Sequence, residues 1–403
     1  MKQLIGIFFI IFFAMISCTG EEGTDPEPEP SVTEQTVFMY FPWSGNATGS
    51  STGLLPNFRI NIKDMESAVA QNRLAGGRLL VFFQTTPTEA TLFELKYSKG
   101  ACVSDTLKWY TNPAITTAAW ITSILNDVKG YAPASRYAMI INCHGMGWIP
   151  AAPSGQLRST TGEKEYWEYD GAIRTRWFGG ESIEYQTDVT TLAEGITNAG
   201  ITMEYILFDD CYMSSIEVAY DLKEVTGHLI ASPCEIMAYG MPYSRIAPYL
   251  FGTVDYESIS NTFLDFYRSY LYPYGAIGVT VCPELDALAA VMKEINKKYP
   301  SGVDNTQRDA IQRMDGYAPI RFFDYGDYVA KLCTDEALTA KFNAQLERTI
   351  PSKYQKHTDS YYTAIPPIGP IRINAYSGVT TSDPSISPHT SAKTETGWYK
   401  ATH

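Results

Sequence analysis

Between residues 36 and 298 the chain alternates short apolar blocks with longer amphipathic stretches. The blocks at 36–41, 78–84, 136–143, 203–209, 228–233 and 276–282 have strand length and almost no polar interruption, the pattern of strands buried on both faces. Between them lie segments with helical spacing. In 57–71 the apolar positions are Phe58, Ile62, Met65 and Val69. Pro113 opens a second helix running to about residue 130 through Trp120, Ile121, Ile124, Leu125 and Val128. Further helices are expected at 187–199, 213–224, 245–251, 258–270 and 284–298. Residues 91–97 and 103–109 flank Ser98, Lys99 and Gly100 and read as a hairpin. Strands separated by helices predict βαβ units, hence an α/β fold with a mostly parallel central sheet of about six or more strands. The main domain spans 35–300. Residues 301–403 form a helical and β-rich extension packed on it, whose tail from about 355 is a small β appendage or wraps the main domain.

The ends of this pattern place the protein. Residues 1–17 carry Lys2 and then an apolar run from Leu4 to Ile16, shorter than a membrane span needs. Ser17-Cys18 follows, and the composition turns abruptly to Pro and acid over 18–34. This resembles a bacterial lipoprotein signal with Cys18 as the lipidated residue, although Met15 stands where Leu is usual. The resemblance implies export and anchoring to the outer membrane of a Gram-negative bacterium, with the acidic stretch as an extended tether. A net charge of −13 without a basic stripe excludes nucleic acid as a partner. Of the seven cysteines, Cys143, Cys211, Cys234 and Cys282 lie in or at the ends of strand blocks, where buried free thiols are common. No spacing matches a zinc framework.

Two blocks end in reactive side chains: the run to Asn142-Cys143 ends at His144-Gly145, and the run to Phe208 ends at Asp209-Asp210-Cys211. Active sites of open α/β sheets lie beyond the carboxyl ends of the strands. An imidazole and a thiol would therefore share one sheet edge, the minimum for a cysteine nucleophile with its acid/base. A helix starting near 213 would place Cys211 at its positive end and favour the thiolate. The backbone N–H groups of Gly145 and Cys211 point into the same crevice and suit an oxyanion. Taken singly, His144 also reads as a structural histidine and Cys211 as a core cysteine.

The blocks His144-Gly-Met-Gly-Trp148 and Phe208-Asp-Asp-Cys-Tyr-Met-Ser-Ser-Ile-Glu-Val-Ala-Tyr220, with Ile230-Ala-Ser-Pro-Cys-Glu235 and Gly240-Met-Pro-Tyr243, resemble the clostripain family, peptidase family C11 of the caspase-like clan. The resemblance implies a caspase-like α/β/α sandwich and a cysteine endopeptidase acting on proteins or peptides, with His144 and Cys211 as catalytic dyad. It also implies that Asp209 lines the pocket for the residue before the cut bond and favours Arg or Lys there. The family's second pocket acid is replaced by Tyr239, and the usually small residue before the nucleophile is Asp210. Family members often cut themselves between the His and Cys strands. The long polar connection over 150–185 offers Arg158, Lys164, Arg174 and Arg176, of which Arg158 is favoured. The chemistry needs no cofactor. Calcium dependence occurs in the family, but no Asp-x-Asp-x-Asp-Gly loop is present here. Two other readings are a non-catalytic surface lipoprotein that binds peptide or glycan, and a thiol–disulfide exchanger using Cys143. The oligomeric state is left open.

Overall fold

The structure is a computed structural model that describes residues 32–49, 54–151, 178–383 and 390–403. The leader, Cys18, Arg158, Lys164, Arg174 and Arg176 lie outside the described residues. Strand β1 (Thr33–Phe41) begins inside the stretch read as tether. Its last seven residues are all buried, as expected of a strand covered on both faces. Then come α1 (Leu54–Ala70), β2 (Arg78–Thr86), β3 (Glu89–Ser98), β4 (Ala101–Thr111), α2 (Ala118–Tyr131) and β5 (Ala134–Ile141). After β5 the order is α3 (Val189–Asn198), β6 (Met203–Phe208), α4 (Ile216–Leu222) and β7 (His228–Ala231). The core ends with α5 (Tyr243–Leu250), α6 (Tyr256–Ser269), β8 (Ala276–Val281) and α7 (Leu285–Lys298). The 91–97/103–109 hairpin is present as β3 and β4. Helix α2 starts later than its proline: Thr117 is the cap and accepts the Trp120 N–H, so Pro113 belongs to the preceding turn.

One sheet of nine strands organises the molecule, in the order Lys356–His357, β8, β7, β6, β5, β1, β2, β3, β4. Strands β2, β1, β5, β6 and β7 are parallel. Strand β8, expected to join them, runs antiparallel to β7, with His228 opposite Val281 and Ala231 opposite Gly278. Two helices, α5 and α6, separate β7 from β8. One helix returns the chain to the starting edge; a second carries it back to the carboxyl edge, so the next strand reverses. Helices α1, α5 and α6 pack together as one row, and α2, α3 and α4 as another.

The C-terminal region is woven into this core. Lys356–His357 extends the main sheet beyond β8, and Ser360–Thr363 pairs with Gly369–Arg372 in a separate hairpin. Trp398 lies edge-on to both Tyr220 of α4 and Tyr325. The buried Lys393 ammonium pairs with Glu217 of α4. Burial draws that ammonium well below the usual lysine range. Among the described residues no helix is long and apolar enough to cross a membrane.

Candidate active site

The parallel ladder carries two chain segments to the same edge. Beyond β5, the Asn142 N–H donates to Tyr40 O at 3.1 Å; beyond β6, the Asp209 N–H donates to Ile141 O at 2.8 Å. The ladder therefore continues one residue past each strand and brings the segments that carry His144 and Cys211 to one edge. Gly145 rests on the Cys211 backbone. A Cβ at Gly145 would stand 2.4 Å from Cys211 O and 3.1 Å from Cys211 N, so only glycine fits. Both candidate residues are buried, Cys211 at 0% exposure and His144 at 3%.

The thiol's setting differs from the expected one. Helix α4 begins at Ile216 with Ser215 as its cap, so Cys211 does not sit at a helix N-terminus. The reason is Tyr212, whose φ of +60° breaks the helical path directly after the cysteine. The turn is pinned by the chain beyond β7: the Tyr212 N–H donates to Cys234 O at 3.1 Å and the Ser214 N–H to Ser232 O at 2.9 Å. From the same segment the Ile236 N–H donates to Cys211 Sγ at 3.4 Å. The same residue's carbonyl lies 4.0 Å from Sγ, so the Ile236 peptide meets the thiol with both its groups.

Asp209 sits at 0% exposure with three donors. Its Oδ1 accepts from Met241 N at 3.0 Å. Its Oδ2 accepts from Asn142 Nδ2 at 2.8 Å and from the Tyr243 hydroxyl at 2.9 Å. Gly240, at φ +74°, covers the carboxylate; a Cβ there would lie 2.3 Å from Asp209 Oδ1. Tyr239 takes partners on α1 and α6: its hydroxyl donates to Asp64 at 2.9 Å and its ring stacks on Phe266 at 4.8 Å. Nothing local in the sequence marks Met241 and Tyr243 as clamps of Asp209. The polar Asn142 closing an apolar strand was the available signal.

In the segment beyond β7 lies Glu235, buried, accepting from the Tyr212 hydroxyl at 2.7 Å, Thr363 Oγ1 at 2.9 Å and Ala364 N at 2.7 Å. Burial lifts its carboxyl to about 7; the hydrogen bonds oppose this and the Asp315 charge adds to it. The unfolded value is about 4.3. The folded state thus holds this proton more tightly. The resulting stabilisation is complete below about pH 4.3 and is lost as pH rises through about 7. Urea unfolding midpoints should accordingly fall between pH 5 and pH 7.5, and Glu235→Gln should flatten that slope. A smaller slope of the same sign should persist, because burial also lifts Asp315 and Asp324, each to about 6.

The six described cysteines are free thiols. Burial pushes Cys234 and Cys282 each up to about 12, which keeps them protonated. No group of three or more His, Cys, Asp or Glu among the described residues is placed to hold a metal ion.

A family model described as the clostripain family, peptidase C11, matches residues 62–314. The chain belongs to the clostripain family. It is a cysteine protease, and solved relatives extend the likeness beyond the matched segment. A secreted C11 cysteine protease from Bacteroides thetaiotaomicron, "iotapain", is 54% identical, with 93% of this chain and 100% of that chain covered and a TM-score of 0.83. A clostripain from the same organism, in complex with the peptide inhibitor BTN-VLTK-AOMK, is 56% identical; 56% of this chain and 99% of that chain are covered, at a TM-score of 0.54. An inactive zymogen C11 protease from Parabacteroides distasonis is 25% identical over 93% of this chain and 99% of its own, at a TM-score of 0.74. No curated protein matches. The nine-stranded, mostly parallel sheet is that of the caspase-like C11 proteases.

Proposed function

We propose that this clostripain-family protease is an exported endopeptidase that cuts after basic residues with a Cys211/His144 dyad. The observation that carries the reading is the seating of the Gly145 loop on the Cys211 backbone, with the Ile236 N–H aimed at Sγ. The thiolate attacks the scissile carbonyl carbon. The oxyanion is held by the N–H groups of Gly145 and Cys211. His144 then protonates the leaving amine as the C–N bond breaks, giving a thioester. Water, deprotonated by His144, releases the acid and restores the thiol.

Asp209 supplies the charge for a basic side chain, and Gly240 lies directly against its carboxylate. Tyr239, engaged with Asp64, contributes no second carboxylate at the family's usual place. One carboxylate suits a point-charge ammonium. The relative solved with an inhibitor whose peptide part reads VLTK supports a lysine before the cut. The buried thiol and the relative described as an inactive zymogen support activation by cleavage, with Arg158 as the proposed site. A lipid on Cys18 would hold the enzyme at the membrane, and Cys18→Ser is expected to move it to the soluble fraction.

The test is incubation of reduced residues 31–403 with a mixed peptide library, with and without calcium, reading cut sites and intact mass by mass spectrometry. Cuts after Lys or Arg, with self-cleavage after Arg158, are expected. Cuts after other residues would remove the Asp209 role. An intact chain that cuts nothing even after trypsin nicking would favour the peptide- or glycan-binding reading.

A further inference from the structure

The residue before the nucleophile is an acid, a costly choice at a buried position beside a thiolate. Asp210 is at 0% exposure. Its Oδ1 accepts the backbone N–H of Cys143 at 2.6 Å, and its Oδ2 accepts from Cys143 Sγ at 3.5 Å. A Cβ at Gly145 would lie 2.9 Å from the Asp210 Cβ. Asp210 therefore touches the residue on each side of His144, while being covalently next to Cys211.

We infer that Asp210 is a positioning residue: its carboxylate fastens the His144 segment to the Cys211 segment and so fixes the imidazole over the thiol. This rests on the dyad reading above. The two segments are 67 residues apart in sequence. The Asp209 N–H to Ile141 O ladder bond lies two residues before Cys211. Beyond it, the bond from Cys143 N–H to Asp210 Oδ1 ties the two segments across the gap. At 2.6 Å it is shorter than the usual amide–carbonyl bond. The same carboxylate also engages the Cys143 thiol at 3.5 Å.

The experiment compares Asp210→Ala, Asp210→Asn and Cys143→Ala in the processed enzyme with one basic peptide substrate. Asn keeps an acceptor for the Cys143 N–H; Ala keeps none. Asp210→Ala is expected to lower kcat about 100-fold with KM within about 2-fold, since a displacement of about 1 Å at the reacting groups costs that much. Asp210→Asn should stay within about 5-fold of the parent, with an unshifted acid limb of the pH profile. Cys143→Ala should stay within about 2-fold. Equal losses in Ala and Asn, with a shifted pH limb, would overturn the inference in favour of a charge effect on the thiol. An unchanged kcat in Asp210→Ala would overturn it outright. Should Asp210→Ala not fold, a folded Asp210→Asn enzyme that loses 50-fold or more would do the same. His144→Ala and Cys211→Ala run alongside: if these retain turnover the dyad reading fails, whatever Asp210 does.

Discussion

Cys211→Ala is expected to remove peptide turnover by at least about 10⁴-fold, the scale on which loss of a covalent nucleophile falls. Three other described thiols near strand ends have their own partners or are held protonated. Cys143 is bonded to Asp210, and Cys234 and Cys282 are pushed up to about 12 and stay protonated. The fold should survive. The substitution removes one buried sulfur and leaves the Ile236 N–H without its acceptor, a cost of about 1–3 kcal/mol. Self-cleavage should vanish with turnover, leaving a single full-length band in the variant and fragments in the parent. His144→Ala should be almost as severe, because the leaving amine then departs without its proton. Single-turnover assays with an active-site alkylator separate the two. Cys211→Ala should not label, whereas His144→Ala should label slowly. A Cys211→Ala protein that still cuts peptides would remove the assigned nucleophile.

The parts of this site that could be read from sequence are those set by short-range pattern. Apolar runs ending in His144-Gly145 and in Asp209-Asp210-Cys211 mark strand ends, and parallel pairing of β5 with β6 follows from the intervening helical segment. What could not be read depends on a single dihedral or on distant chain. The left-handed Tyr212 delays α4, and nothing in a tyrosine announces positive φ. The donors around Asp209 come from Asn142, Met241 and Tyr243, up to 101 residues apart, and are brought together only by the closed sheet edge. The two helices between β7 and β8 are legible at 245–251 and 258–270; that the pair reverses β8 depends on how they pack, which no local pattern specifies. The C-terminal clamp on α4 rests on Lys393 meeting Glu217, a pairing 176 residues apart that no local pattern specifies.

Asp209→Asn should lower kcat/KM for Lys and Arg peptides by about 10²–10³-fold, the range for losing one partner of a desolvated charge pair. The fold is expected to tolerate Asn better than Ala. Its Oδ1 can still accept from Met241 N, and the Tyr243 hydroxyl can turn to accept from the new amide. Alanine would leave Asn142 Nδ2, the Tyr243 hydroxyl and the Met241 N–H all without this acceptor, at about 1–3 kcal/mol for each buried group left unpaired. The informative quantity is therefore a ratio measured in Asp209→Asn. Cleavage of a basic peptide is compared with alkylation of Cys211 by a small neutral reagent, which reaches the thiol without using the pocket. A large fall in the first with the second unchanged assigns the charge to substrate recognition. Equal falls mean that Asp209 acts through Asn142 and Tyr243 to hold the sheet edge, and selectivity must then come from elsewhere in the cleft. Gly240→Ala provides the steric counterpart. At φ +74° a Cβ 2.3 Å from Asp209 Oδ1 must push the carboxylate aside, so cleavage of basic peptides should fall although the charge is retained.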